Sequence, residues 1–86
     1  MNAAVSIHQI QREFDLVSQN HSPERAACLL SMVLNTHKIG RKELAASMGV
    51  QQEHLGKLTR KRARLSRGQR KGLLRTVSNF LENNHS

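Results

Sequence analysis

The stretch "ELAASMGVQQEHLGKLTRKRAR", residues 43–64, decides the fold of this 86-residue chain. Two short segments with apolar residues at helical spacing stand on either side of Gly49, and a run of basic residues follows the second segment. This pattern predicts two short helices joined by a tight turn, because glycine tolerates the positive φ angle that a sharp turn between helices needs.

Each apolar or small residue of this stretch has a predicted structural position. Leu44 and Met48, four residues apart, predict the buried face of the first helix, and Leu55 and Leu58 predict that of the second. The small side chain of Ala45 allows the helices to cross closely, and the apolar residue after the glycine anchors the turn in the core. The residues predicted to form this motif are Leu44, Ala45, Met48, Gly49, Val50, Leu55 and Leu58.

Helical spacing extends over most of the chain, so the predicted fold class is all-α, a compact bundle of about five helices in a single domain. The two motif helices are predicted over residues 41–48 and 51–60. An N-terminal helix is predicted over 7–18, a mostly apolar helix after a Ser-Pro-Glu start over 23–36, and a C-terminal helix over 66–83. No stretch alternates at period two for more than a few residues.

Composition argues against several classes of protein. The single cysteine, Cys28, stands in the apolar run "AACLLSMVL" and is predicted to be a small buried side chain. The N-terminus has no signal-peptide pattern and no apolar run is long enough to span a bilayer, so we expect a cytoplasmic protein without a membrane partner. The five histidines show no metal spacing, and no phosphate loop or nucleophile with a base is visible. We therefore expect no enzyme, no metal, no cofactor and no small-molecule ligand.

Positive charge is concentrated in one segment of the chain. The net charge is +8, residues 1–40 are neutral overall, and residues 41–75 contain eleven Lys or Arg against two acids. Because a segment of one sign repels itself unless an anion is near, a nucleic acid partner is the first hypothesis. An acidic membrane surface is the second, but only Leu65 brings a bulky apolar side chain into the basic run.

The sequence "RKELAASMGVQQEHLGKLTR", residues 41–60, resembles the helix-turn-helix of the lambda-repressor and Cro family of bacterial and phage regulators. Ala45, Gly49 four residues later, Val50 and the spacing to the two leucines that follow all stand where that family has them. The resemblance covers about twenty residues, and about sixty if the helices before and after the motif are the family's flanking helices.

Three features depart from the family pattern. Gln51 stands where the family often has Ser or Thr, and glutamine is a poorer helix cap. The helix predicted over 7–18 lies outside the family's domain, so its role is unassigned. The basic run after Leu58 is heavier than is typical of the family.

The resemblance implies a sequence-specific regulator of transcription that binds double-stranded DNA, a repressor of phage, plasmid or bacterial origin, with helix 51–60 in the major groove. Gln52 matches the family's glutamine that pairs with adenine. The candidate base-reading residues are Gln51, Gln52, Glu53 and Lys57. The candidate phosphate contacts, which position the protein without reading sequence, are Arg41, Lys42, His54, Arg60, Lys61, Arg62, Arg64, Arg67 and Arg70.

Two other classes of function stay open. The basic run also fits an RNA-binding or nucleoid-associated module that reads no bases, although a chain with only two aromatic residues is poorly suited to stacking on single strands. An antitoxin-type interaction protein, with helix 7–18 holding a partner protein, is the other alternative.

A homodimer is expected, because one helix-turn-helix reads only a few base pairs. Leu74, Val77 and Leu81 follow a three-four spacing that can pack against a symmetric copy, which leaves Leu73 and Phe80 for the core. The alternative is that all five side chains belong to the core. Helix 7–18 is the rival dimer element.

Overall fold

The computed structural model describes residues 7–20, 23–36, 38–60 and 64–83, and all regular secondary structure in these residues is helical. The five helices are α1 (Ile7–Asn20), α2 (Pro23–Thr36), α3 (Arg41–Met48), α4 (Gln52–Arg60) and α5 (Arg67–Asn83). The predicted all-α bundle is confirmed. The bounds of α2 and α3 are as predicted, α1 ends two residues later, and α4 and α5 each begin one residue later. None of the described helices has the length and apolar character needed to cross a membrane.

Residue 66 precedes α5 instead of opening it because it is the cap of the helix. The hydroxyl of Ser66 accepts a hydrogen bond from the backbone N–H of Gln69 at 3.2 Å, and the side-chain oxygen of Gln69 accepts one from the backbone N–H of Ser66 at 2.9 Å. This reciprocal pair is a capping box, which satisfies two backbone donors at the start of the helix.

Helices α2 and α5 lie at the centre of the bundle. Helix α5 packs against α1, α2 and α3, and α2 also packs against α1 and α4. All five helices contribute to one core. Its largest fully buried side chains are Ile10, Val17, Leu29, Leu30, Val33, Leu44, Leu55, Leu73 and Val77.

Helix α1, whose role the sequence left unassigned, is part of this core. Ile10 and Val17 are fully buried, and Phe14 packs against the core cluster. An ion pair also joins α1 to α2, with 2.9 Å between Nε of Arg25 and Oε2 of Glu13. The Glu13 side chain keeps only 15% of its surface exposed, so this pair is better shielded from solvent than an ordinary surface salt bridge.

Helices α5 and α3 come into backbone contact where they cross. A Cβ atom built on Gly72 would collide with the carbonyl oxygen of Ser47 and would lie 2.9 Å from the Cα of Met48. Gly72 therefore lets the backbones of the two helices touch. This role of Gly72 cannot be predicted from the sequence, because a glycine inside a helical pattern does not show what packs against it.

The prediction that Cys28 is buried is wrong. Cys28 is exposed on α2, because it lies on the face of that helix that no other described helix covers. Of the two alternatives for Val77 and Leu81, a dimer stripe or the core, the structure places both side chains in the core of the single chain. Of the predicted stripe only Leu74 stays half-buried, and Phe80, assigned to the core, is half-buried as well.

Candidate nucleic-acid interface

A glycine turn holds α3 and α4 together. Gly49 ends α3 in the left-handed region, with φ 72° and ψ 31°. The backbone N–H of Gly49 donates to the carbonyl of Ala46 at 3.3 Å, and the N–H of Val50 donates to the carbonyl of Ala45 at 3.0 Å. These two bonds form a Schellman motif, in which glycine avoids the steric cost that a Cβ would meet. Val50 packs against the core cluster and so fixes the turn to the core.

Helix α4 divides into a buried and an exposed face. Leu55 is fully buried and Leu58 is 5% exposed. Glu53, Lys57 and Arg60 form an exposed stripe on the opposite side of the helix, because residues four and three positions apart lie on the same face. This division follows the predicted spacing of the two leucines, so α4 presents a polar and charged surface to solvent.

The N-terminal end of α4 carries the glutamines. Gln51 precedes the helix and its carbonyl accepts the N–H of His54 at 2.9 Å, which starts the first turn. The side chains of Gln51, Gln52 and His54 are all exposed. A shallow groove lies between this end and α3, lined by Lys42, Ala45, Ala46, Val50, Gln51, Gln52 and Glu53. Lys42 therefore lies beside the candidate base-reading residues.

A second groove, of about 280 Å³, opens at the other end of α4, between α2, α3 and α4. Arg41 and Arg60 share it, although nineteen positions separate them in sequence. Its other described lining residues are Ser31, Leu34, Asn35, Gly56 and Thr59. No carboxylate is among these lining residues. The hydroxyl of Thr59 and Nε of Arg60 donate to the carbonyl of Gly56, at 2.9 and 3.4 Å, so the donors suited to a phosphate are the remaining guanidinium N–H groups.

The structure distributes the remaining basic residues over different elements. Arg64 is exposed in the segment before α5, whereas Arg67 is exposed and Arg70 half-buried on α5 itself. Lys61 and Arg62 lie outside the described residues. Among the described side chains, Arg41, Lys42, Lys57, Arg64 and Arg67 form no ion pair with a carboxylate. Their charges therefore remain available to an anionic partner.

The described residues hold no group of three or more His, Cys, Asp or Glu side chains arranged to bind a metal ion. The chemistry that the α3–α4 surface offers is accordingly hydrogen bonding and positive charge. The amide groups of Gln51 and Gln52, the carboxylate of Glu53 and the ammonium of Lys42 lie at the start of α4, and Arg41 and Arg60 lie at its other end.

Comparison of the chain with models of protein families, with curated proteins and with solved structures finds no match.

Proposed function

We propose that the protein is a sequence-specific DNA-binding regulator of transcription, a repressor that acts in a bacterial cytoplasm as a homodimer. In this proposal α3, the Gly49 turn and α4 form a lambda-repressor-like helix-turn-helix, and α4 is the recognition helix. The observation that carries the proposal is the exposed polar face of α4, which a Schellman turn and two buried leucines hold in one orientation. The proposed role is binding, without a reaction or a cofactor.

The side chains at the start of α4 suit the edges of bases in a major groove. An α-helix fits this groove with its N-terminal residues nearest the bases. The amide of Gln52 can both donate to and accept from adenine, and the ammonium of Lys57 can donate to guanine. Glu53 accepts from the amino group of cytosine, or it repels phosphate where the register is wrong. All three side chains are exposed.

The cations around α4 would contact the phosphates on either side of that groove. Lys42 lies at the glutamine end of α4, and Arg41 lies with Arg60 at the other end. Cations at both ends of a helix in the groove fix its register on the duplex and supply affinity that does not depend on sequence.

The decisive test is selection from a random duplex pool at physiological salt with the full chain. Enrichment of a palindromic motif is the expected result, because a symmetric dimer presents two recognition helices to two half-sites. Recovery of tightly bound duplexes without a common motif would instead indicate a nucleoid-associated module. No binding to any duplex would contradict both.

Gln52→Ala tests base reading within the selected site. We expect a loss of about 1–3 kcal/mol in binding free energy on that site and little change on random duplex, because the lost amide contacts are specific to the base. The matched control is Gln11→Ala on α1, far along the chain from the α3–α4 surface, which should change neither. Equal losses on both duplexes would show that Gln52 does not read a base.

A further inference from the structure

Helix α5 carries a stripe of three cations on its solvent side. Arg67, Lys71 and Arg75 are four residues apart and all three are exposed. Because a helix rises about 1.5 Å per residue, the stripe extends over about 12 Å. We call Arg67, Lys71 and Arg75 the α5 stripe.

The α5 stripe is unfavourable for the helix that carries it. Arg67 is the first residue of α5, where the positive end of the helix dipole disfavours a cation, and the first turn contains no acidic residue. Like charges four residues apart also repel one another. Within the described part of the chain, Arg67, Lys71 and Arg75 form no ion pair with a carboxylate. An anion bound along the stripe would relieve this repulsion.

The α5 stripe is not a continuation of the α4 surface, because α3 lies between the two helices. Helix α3 lines its groove with α4 through Lys42, Ala45 and Ala46. It meets α5 through the backbone of Ser47 and Met48, and Glu43 lines a groove with the C-terminal half of α5. These two sets of residues stand on different sides of α3, so α4 and α5 flank it from opposite sides.

We infer that the α5 stripe is a second binding surface for the phosphate backbone of double-stranded nucleic acid. Arg67 is already a predicted phosphate contact, and the inference adds Lys71 and Arg75, which extend the phosphate contact along α5 beyond the α3–α4 surface of the proposed function. The phosphates of a duplex strand follow one another at intervals of a few ångströms, so a stripe of about 12 Å is long enough to contact more than one of them. The phosphates belong either to the flank of the duplex that α4 reads or to a second duplex.

The surroundings of the α5 stripe favour a duplex over other anionic partners. The described neighbours of the stripe include Gly68, Ser78 and Glu82. Leu74, the apolar neighbour, is half-buried against the core cluster, so the surface around the stripe offers little apolar area for insertion into a membrane. The aromatic residue of α5, Phe80, packs against the core cluster, so it is not a platform for stacking single-stranded bases.

The test compares two double variants of equal charge, Lys71→Gln/Arg75→Gln and the control Arg12→Gln/Lys38→Gln, each of which lowers the net charge from +8 to +6. All four side chains are exposed. Binding to a random duplex of roughly three helical turns is titrated with salt. We expect the slope of log K against log salt to fall by about two units for the α5 variant and to stay unchanged for the control. Circular dichroism should show both variants folded, and the α5 variant should melt no lower than wild type, since repulsion within the helix has been removed.

A capture assay distinguishes the two sources of phosphate. If the wild-type chain on an immobilised duplex captures a fluorescent second duplex and the α5 variant does not, the stripe holds a second duplex. A reduced slope without capture places the phosphates on the flank of the same duplex. Either result supports the inference.

The inference is overturned if the α5 variant has the same salt slope as the control. If that variant also loses binding to vesicles of phosphatidylserine and phosphatidylcholine, the stripe binds a membrane instead. The experiment tests the α5 stripe independently of the proposed function. The α5 variant should keep the base preference found by selection. A wild-type chain without any base preference could still have a steeper salt slope than the α5 variant.

Discussion

Gly72 shows how one residue decides the packing of two helices. It lies inside α5, where glycine is a poor helix former, yet its missing Cβ is what lets α5 rest on the backbone of Ser47 and Met48. We predict that Gly72→Ala lowers the free energy of unfolding by at least about 3 kcal/mol, because the methyl group meets backbone that cannot turn aside. Urea unfolding followed by circular dichroism measures the change.

Gly68 provides the matched control in the same helix. A Cβ on Gly68 would have no atom within 4 Å. Gly68→Ala should therefore leave stability unchanged or raise it by up to about 1 kcal/mol, through helix propensity alone. Similar stabilities for the two alanine variants would mean that α3 and α5 do not touch at Gly72.

At the scale of elements, the groove between α2, α3 and α4 brings two arginines from separate helices to one place. Arg41 begins α3 and Arg60 ends α4, and both line this groove. We predict that Arg41→Gln/Arg60→Gln weakens binding to the selected site and to random duplex by similar factors. It should also reduce the salt slope by about two units, because phosphate contacts carry no sequence information. Fluorescence anisotropy at several salt concentrations measures both effects.

The two variants should differ in specificity. Gln52→Ala should weaken binding to the selected site alone, whereas Arg41→Gln/Arg60→Gln should weaken binding to both duplexes. The Arg12→Gln/Lys38→Gln variant again controls for the change in net charge. A slope that stays at the wild-type value for Arg41→Gln/Arg60→Gln would show that the groove holds no phosphate of bound DNA.

At the scale of the whole molecule, the dimensions of the chain fit a dimer on adjacent half-sites. The longest extent is 31 Å, and half-sites on one side of a duplex are about 34 Å apart. The exposed part of Leu74 on α5 remains for contact with a second copy, since Val77 and Leu81 belong to the core. We predict that the wild-type chain sediments as a dimer at micromolar concentration, and that Leu74→Asp stays helical but sediments as a monomer and loses affinity for the selected site.

Leu81→Asp is the contrasting variant. It should unfold the chain, because a carboxylate would replace a core side chain that is 7% exposed. A wild-type monomer at this concentration would contradict the proposed dimer. A Leu74→Asp variant that remains dimeric would move the interface away from α5, and α1 would then be the element to mutate.

The sequence by itself determined the helices and the two faces of α4. Capping residues and helix breaks act within a few neighbouring residues, so the Ser-Pro-Glu start predicted the beginning of α2 and Gly49 predicted the end of α3. The three-residue spacing of Leu55 and Leu58 likewise separated the buried face of α4 from the exposed one. These features depend on residues that are close in sequence, so they can be predicted from the sequence alone.

Only the tertiary structure decided which helix covers which face. The period of an apolar pattern shows that side chains share a face but not what packs against it. Cys28 is therefore exposed where the sequence predicts burial, and Val77, for which the sequence leaves both a dimer contact and the core open, lies in the core. For the same reason, the sequence does not predict the backbone contact at Gly72 or the groove that Arg41 and Arg60 share. Burial, close backbone contact and convergence of distant charges depend on how helices cross, and a crossing involves residues far apart in the sequence.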